Sequence, residues 1–140
     1  MKTYWDTSGL INVAISGTVL QRLSANEHTT RTHTLAEFFG ILTGRGIRWE
    51  RDGQSYELKL TGHQAAEWLK TNLVPFQFVD LTVAEVLAAL EQAQSRNVVG
   101  ARVHDFLHAV AAQKAAADEL LTRNQNDFVG LTGQMPLVWP

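Results

Sequence analysis

The chain reads as an α/β protein built around a central, mainly parallel sheet. Two patterns alternate along it. Short apolar runs of strand length, at residues 3–5, 76–79 and 120–122, are separated by stretches with apolar residues at i, i+3, i+4 and i+7. The second pattern is the period of an amphipathic helix. Strands that alternate with helices pair in parallel through right-handed crossovers, with helices covering both faces. A third signal, Asp52-Gly53 between Ile47 and Trp49 on one side and Tyr56, Leu58 and Leu60 on the other, marks a β-hairpin inserted near 47–60.

Taken in order, Thr3, Tyr4 and Trp5 form a short buried strand ended by Asp6, and a helix follows from Thr7 with Leu10, Ile11 and Ala14 on one face. Gly17 punctuates, and Val19, Leu20 and Leu23 make a second short helical segment. Residues 28–32 are polar but rich in threonine, a weaker strand signal. Leu35, Phe38, Phe39 and Leu42 carry a helix that Gly44 and Gly46 stop. Thr61 with Gln64, and Thr82 with Glu85, are capping boxes. The first opens a helix with Ala65, Trp68 and Leu69 inside, and the second a helix with Val83, Val86, Leu87 and Leu90 on its apolar face. Pro75 separates these helices before the strand containing Phe76, Phe78 and Val79. Beyond Gly100 a long helix carries Val103, Phe106, Leu107 and Val110, and strands at 120–122 and 137–139 close the chain.

At 140 residues the chain is the size of one domain, 1–140, with no repeat, linker or low-complexity tract. A net charge of −2 announces no basic surface for duplex nucleic acid. It leaves room for a local patch at Arg45, Arg48 and Arg51 to guide a substrate. With no cysteine, thiolate nucleophiles, zinc–thiolate sites and iron–sulfur clusters are excluded, leaving carboxylate and imidazole for metal chemistry. The opening residues lack the apolar run of a signal peptide and no window approaches a membrane span, so the expected location is cytoplasmic.

Four acids stand out. Asp6 and Asp127 closely follow predicted strands, and ligand sites in open α/β sheets gather at the carboxyl ends of strands. Asp105 lies about 200° around its helix from Val103, and Glu37 stands in the same relation to Leu35. Carboxylates brought together raise one another's pKa unless a cation intervenes, which points to a hard divalent ion such as Mg²⁺ or Mn²⁺. Each acid also has a plainer reading. Asp6 suits a helix N-cap, Glu37 completes a Thr34-x-x-Glu37 capping box, Asp105 suits a solvated face and Asp127 a turn. His104 and His108 have the i, i+4 spacing of zinc ligand pairs, but His-Asp-Phe-Leu-His lacks the general-base Glu of the H-E-x-x-H pattern. Polar-face histidines touching substrate or solvent are the simpler expectation for them.

The ordered set of segments resembles a known family. Tyr4-Trp5-Asp6-Thr7-Ser8 with Leu10-Ile11-Asn12, Thr34-Leu35-Ala36-Glu37-Phe38, Val103-His104-Asp105-Phe106-Leu107-His108-Ala109 and Leu120-Leu121-Thr122-Arg123-Asn124-Gln125-Asn126-Asp127-Phe128 are similar to the PIN-domain family, especially its VapC-like ribonuclease toxins. The resemblance spans essentially the whole chain. It implies a PIN-like three-layer α/β/α sandwich, with Asp6, Glu37 and Asp105 as metal ligands. Asp127 is a fourth catalytic acid or, three residues earlier, Asn124 takes that place. Ser8 and Thr122 orient the acids and water, and Arg123 is either a phosphate contact or an ordinary surface cation. The implied chemistry is Mg²⁺- or Mn²⁺-dependent hydrolysis of RNA phosphodiester bonds, in which the cation lowers the pKa of water and offsets charge on the phosphoryl oxygens. The implied partners are an RNA substrate, a cognate antitoxin protein and a second copy of the chain, with Trp49, Tyr56 and Trp68 as candidate contacts, although core packing is the commoner fate of tryptophan.

The rival readings are a catalytically weak interaction module on the same fold and a nucleotide-binding α/β protein. The second lacks both G-x-G-x-x-G and G-x-x-x-x-G-K-[ST].

Overall fold

The computed structural model describes every residue except 17–20, 22 and 23. The segment expected around Gly17, Val19, Leu20 and Leu23 therefore lies outside the described residues.

Strands β1 (Lys2–Trp5), β2 (Glu27–Arg31), β5 (Phe76–Val79), β6 (Glu119–Leu121) and β7 (Leu137–Val138) form one sheet in the order β5-β2-β1-β6-β7. Every adjacent pair in it is parallel. The hairpin of β3 (Ile47–Arg51) and β4 (Gln54–Leu58) is a separate antiparallel sheet. Its turn residues Asp52 and Gly53 have φ of 52° and 75°, the left-handed pair that a two-residue hairpin loop requires. Trp49 stands opposite Tyr56 and stacks on it at 5.6 Å.

The helices are α1 (Thr7–Ile15), α2 (His33–Thr43), α3 (Gly62–Asn72), α4 (Val83–Glu91), α5 (Arg102–Lys114) and the single turn α6 (Gln125–Phe128). Both capping boxes form. Thr61 Oγ1 accepts from Gln64 N at 3.3 Å and Thr82 Oγ1 from Glu85 N at 3.1 Å, and each partner side chain accepts from the cap's own N–H at 3.0 Å.

Successive strand residues face opposite ways, and β1 shows the consequence. Trp5 packs with Leu10, Phe38, Leu42, Leu69 and Leu121 under α1, α2 and α3. Tyr4 packs with Ala89, Phe106, Ala109, Ala112 and Leu120 under α4 and α5. The result is three layers, helix–sheet–helix.

One weak expectation holds and three others need correction. The polar segment at 28–32 is not marginal: as β2 it lies second in the sheet, with His28, Thr29 and Thr30 all buried. The fully buried Thr30 is tolerated because its hydroxyl is satisfied, bonding Trp5 O at 2.8 Å and Thr34 Oγ1 at 2.9 Å. That use of Thr34 dissolves the proposed Thr34–Glu37 capping box: α2 begins at Thr32 without a side-chain cap. The apolar face expected on α4 is outward, with Val83 77%, Leu87 55% and Leu90 41% exposed, and Ala89 faces the core instead. Of the three candidate contact aromatics, Trp49 and Trp68 take the commoner fate of tryptophan and pack against the core, and Tyr56 alone of them stays exposed.

Helix α1 lies hard against β6. A Cβ at Gly9 would stand 2.7 Å from Leu121 O and 2.9 Å from Leu121 Cδ2, and backbone cannot move aside as a side chain can. Gly9→Ala is expected to cost about 2 kcal/mol through overpacking, measured as a lower urea midpoint at unchanged slope.

Candidate active site

The register of the sheet brings two loop starts together. Trp5 pairs with Leu121, so Asp6 and Thr122 leave the carboxyl edge side by side. This is the switch point of the sheet, where the chain runs outward to β2 on one side and β6 lies on the other. The next residue pair bonds directly, Thr122 Oγ1 donating to Asp6 Oδ2 at 2.7 Å. Asp6 is buried and receives two further donors, Ser8 Oγ at 2.8 Å and the Gly9 N–H at 2.7 Å. It is thus the N-cap of α1 as well as a site acid, so the plainer reading of this residue also holds. Ser8 Oγ lies 3.1 Å from Thr122 Oγ1 and accepts from Arg123 N at 2.9 Å, which ties the loop after β6 to the start of α1.

Helix α2 rises from the end of β2 and α5 crosses the same edge. They deliver Glu37 and Asp105 to a cleft of about 370 Å³ that Asp6, Thr7, Ser8, Ile11, Glu37, Ile41, Arg45, Asp105, His108 and Asn124 line. Asp6, Glu37 and Asp105 therefore share one pocket. Asp127 does not line it. It is exposed in an adjoining hollow with Arg123, Asn124 and Trp139, so Asn124 borders both spaces. Asp127 still acts on the cleft through its charge.

That effect is clearest at Asp105, whose pKa is raised to about 6 by burial first and then by Asp127, with Asp6 and Glu37 adding to it and His108 opposing. Burial also raises Asp6, against the hydrogen bonds from Thr122, Gly9 and Ser8. At Glu37 burial pushes upward, but the hydrogen bond from His108 and the charge that ring carries when protonated, with His33 and Thr7, bring its pKa below the ordinary value. The Thr7 hydroxyl is buried beside Glu37 without closing a full hydrogen bond.

The sign for stability follows from Asp105. Its folded pKa of about 6 lies above the ordinary 3.8, so the folded protein holds this proton in a range where the unfolded chain has lost it. Stability from this group is present below about pH 4 and is lost as pH rises to about 6. Allowing for screening at a half-exposed carboxylate, the loss is about 1 kcal/mol. Urea unfolding without divalent metal should show Asp105→Asn gaining that much on the wild type between pH 4 and pH 7.

His104 and His108 do not form a pair. His104 is exposed and lies parallel to His33 at 6.4 Å, whereas His108 is buried on the core side of α5. His108 Nε2 lies 3.1 Å from Glu37 Oε1 and Nδ1 lies 2.8 Å from the Tyr4 hydroxyl. Reading α5 by its acid alone missed this contact. The available signal was Tyr4, since a buried tyrosine needs a partner for its hydroxyl. Of the arginine patch expected from sequence, Arg45 alone reaches the cleft. Arg48 pairs with Glu57 at 3.0 Å and Arg51 donates to Ile15 O at 2.8 Å.

Hard oxygen donors, with the carboxyl pKa raised at Asp6 and Asp105, suit a divalent cation by donor type. Among the described residues, however, no three His, Asp or Glu side chains stand as a ready ligand set. The oxygens of Asp6 and one oxygen of Glu37 are taken up by protein donors. No helix of the described residues is long and apolar enough to cross a membrane.

No family model and no curated protein matches the chain. Among solved structures it is similar to a chain of VapBC-1 from nontypeable Haemophilus influenzae, with a TM-score of 0.66 at 15% identity over 100% of this chain and 97% of that one. At that identity the likeness shows the fold, the PIN-like three-layer sandwich.

Proposed function

We propose that the chain is a metal-dependent endoribonuclease of the toxin type, hydrolysing RNA phosphodiester bonds at the cleft of Asp6, Glu37 and Asp105. The observation that carries this reading is the gathering of three acids, from positions far apart in sequence, at the switch point of a parallel sheet. Asp6, Glu37 and Asp105 would hold Mg²⁺ or Mn²⁺, with Asn124 beside them as a neutral oxygen donor and Asp127 acting through its charge. Bound there, the cation supplies Lewis-acid stabilisation of phosphoryl charge and acidifies water. Ser8 and Thr122 fix Asp6 so that its carboxylate needs no reorganisation. Arg45, exposed at the cleft, binds a substrate phosphate, and Arg123 in the adjoining hollow is placed to hold the strand beyond it.

The fold likeness to VapBC-1 supports an antitoxin as partner and the exposed Val83, Leu87 and Leu90 support association with protein, a second copy included. A digest of RNA with Mg²⁺ or Mn²⁺ tests the activity. Equal behaviour of wild type and Asp105→Ala would refute the assignment. The lack of a ready ligand set among the described residues favours a second reading, an interaction module with a weakened site. Absence of cleavage together with retained binding of a protein partner would decide for it.

A further inference from the structure

The Tyr4–His108–Glu37 chain is buried at its centre and joins the sheet to the cleft. Tyr4 and His108 come from β1 and α5, and Glu37 from α2, so the contact spans three elements. We propose that His108, backed by Tyr4, is a positioning residue that fixes the Glu37 carboxylate in the orientation the cleft uses. This rests on the reading of the cleft as a metal-dependent nuclease site.

An ionised carboxylate only accepts hydrogen bonds, so His108 Nε2 must carry the proton that faces Glu37 Oε1. In the neutral ring this leaves Nδ1 to accept from the Tyr4 hydroxyl at 2.8 Å. The ring therefore has one tautomer that satisfies both neighbours, and a flip of the imidazole would break both bonds. The 5.9 Å edge contact between the two rings and the 3% exposure of His108 hold it there. With Oε1 bound, the remaining oxygen of Glu37 is the one left for a cation. A histidine acting on a ligand in this manner is worth about 10–100-fold in metal affinity or activity.

The test compares His108→Leu, His108→Gln and wild type by Mn²⁺ calorimetry, by RNA cleavage and by imidazole ¹⁵N spectra. His108→Leu should weaken Mn²⁺ by about 10–100-fold and lower kcat with little change in KM for RNA. His108→Gln should recover most of the loss, because its amide can donate to Glu37 from the same direction. The wild-type spectrum should show Nε2 protonated and Nδ1 accepting. A Gln variant as deficient as Leu, or a Leu variant with full Mn²⁺ affinity, overturns the proposal. If wild type neither binds Mn²⁺ nor cuts RNA, the nuclease reading fails by itself and the spectrum decides the positioning claim. A ring protonated at Nδ1 alone, or flipping freely, overturns it.

Discussion

Asp105→Asn is expected to give a folded, slightly more stable protein whose RNA cleavage has fallen by about 10³-fold or more. Both halves have one cause. Asp105 is the acid with the least support: burial and three neighbouring carboxylates raise its pKa to about 6, with only His108 offsetting them. Asparagine keeps the shape and removes the charge that the folded state carries at a cost. A gain of about 1 kcal/mol corresponds to a rise of roughly 3 °C in melting temperature for a chain of this size. The charge is also what would hold a cation, so activity and stability move in opposite directions. Thermal melts with and without Mn²⁺, beside an RNA digest, read both. A less stable Asp105→Asn would mean that the electrostatic account of the cleft is wrong.

Asp6→Ala is expected to abolish cleavage too, but with the opposite effect on the fold. Asp6 accepts from the Gly9 N–H, Ser8 and Thr122, and its removal leaves a helix start uncapped and two hydroxyls to find other partners. Losing the cap costs about 1 kcal/mol, and the unsatisfied buried donors raise the total to about 2–3 kcal/mol after relief of the buried charge. Against a typical stability of about 5–15 kcal/mol this is a large fraction, so lost activity in Asp6→Ala alone would not separate chemistry from folding. Asp6→Asn retains an acceptor for Gly9. It should keep most of the stability and still lack activity, measured by urea unfolding beside the digest. An Asp6→Asn protein with wild-type cleavage would remove Asp6 from the site.

How far the sequence could be read depends on the kind of interaction. Periodicity placed α2, α3, α4 and α5, and local turn chemistry placed the Asp52-Gly53 hairpin and both capping boxes, because those signals lie within a few residues of one another. Strand β2 was a weak expectation because buried threonine looks polar until its hydroxyl partners, Trp5 O and Thr34 Oγ1, are known. The α4 face misled because helical spacing of Val83, Leu87 and Leu90 says which residues share a side, not which side meets the core. At the site, the resemblance singled out Asp6, Glu37 and Asp105, and the topology puts all three in one cleft. His108 was weighed only with His104 because the two are neighbours on one helix. Its real partners, Tyr4 and Glu37, are 104 and 71 residues away in sequence and become neighbours only through the fold.

The proposed activity requires one cleft whose acids bind one kind of ion. Calorimetric titration of the metal-free protein with Mn²⁺ addresses that directly. A single site with micromolar to submillimolar affinity in the wild type, weakened by at least about tenfold in Asp105→Asn, is the result expected when a charged ligand is removed. No heat up to millimolar Mn²⁺, or the same binding in Asp105→Asn as in wild type, would contradict it.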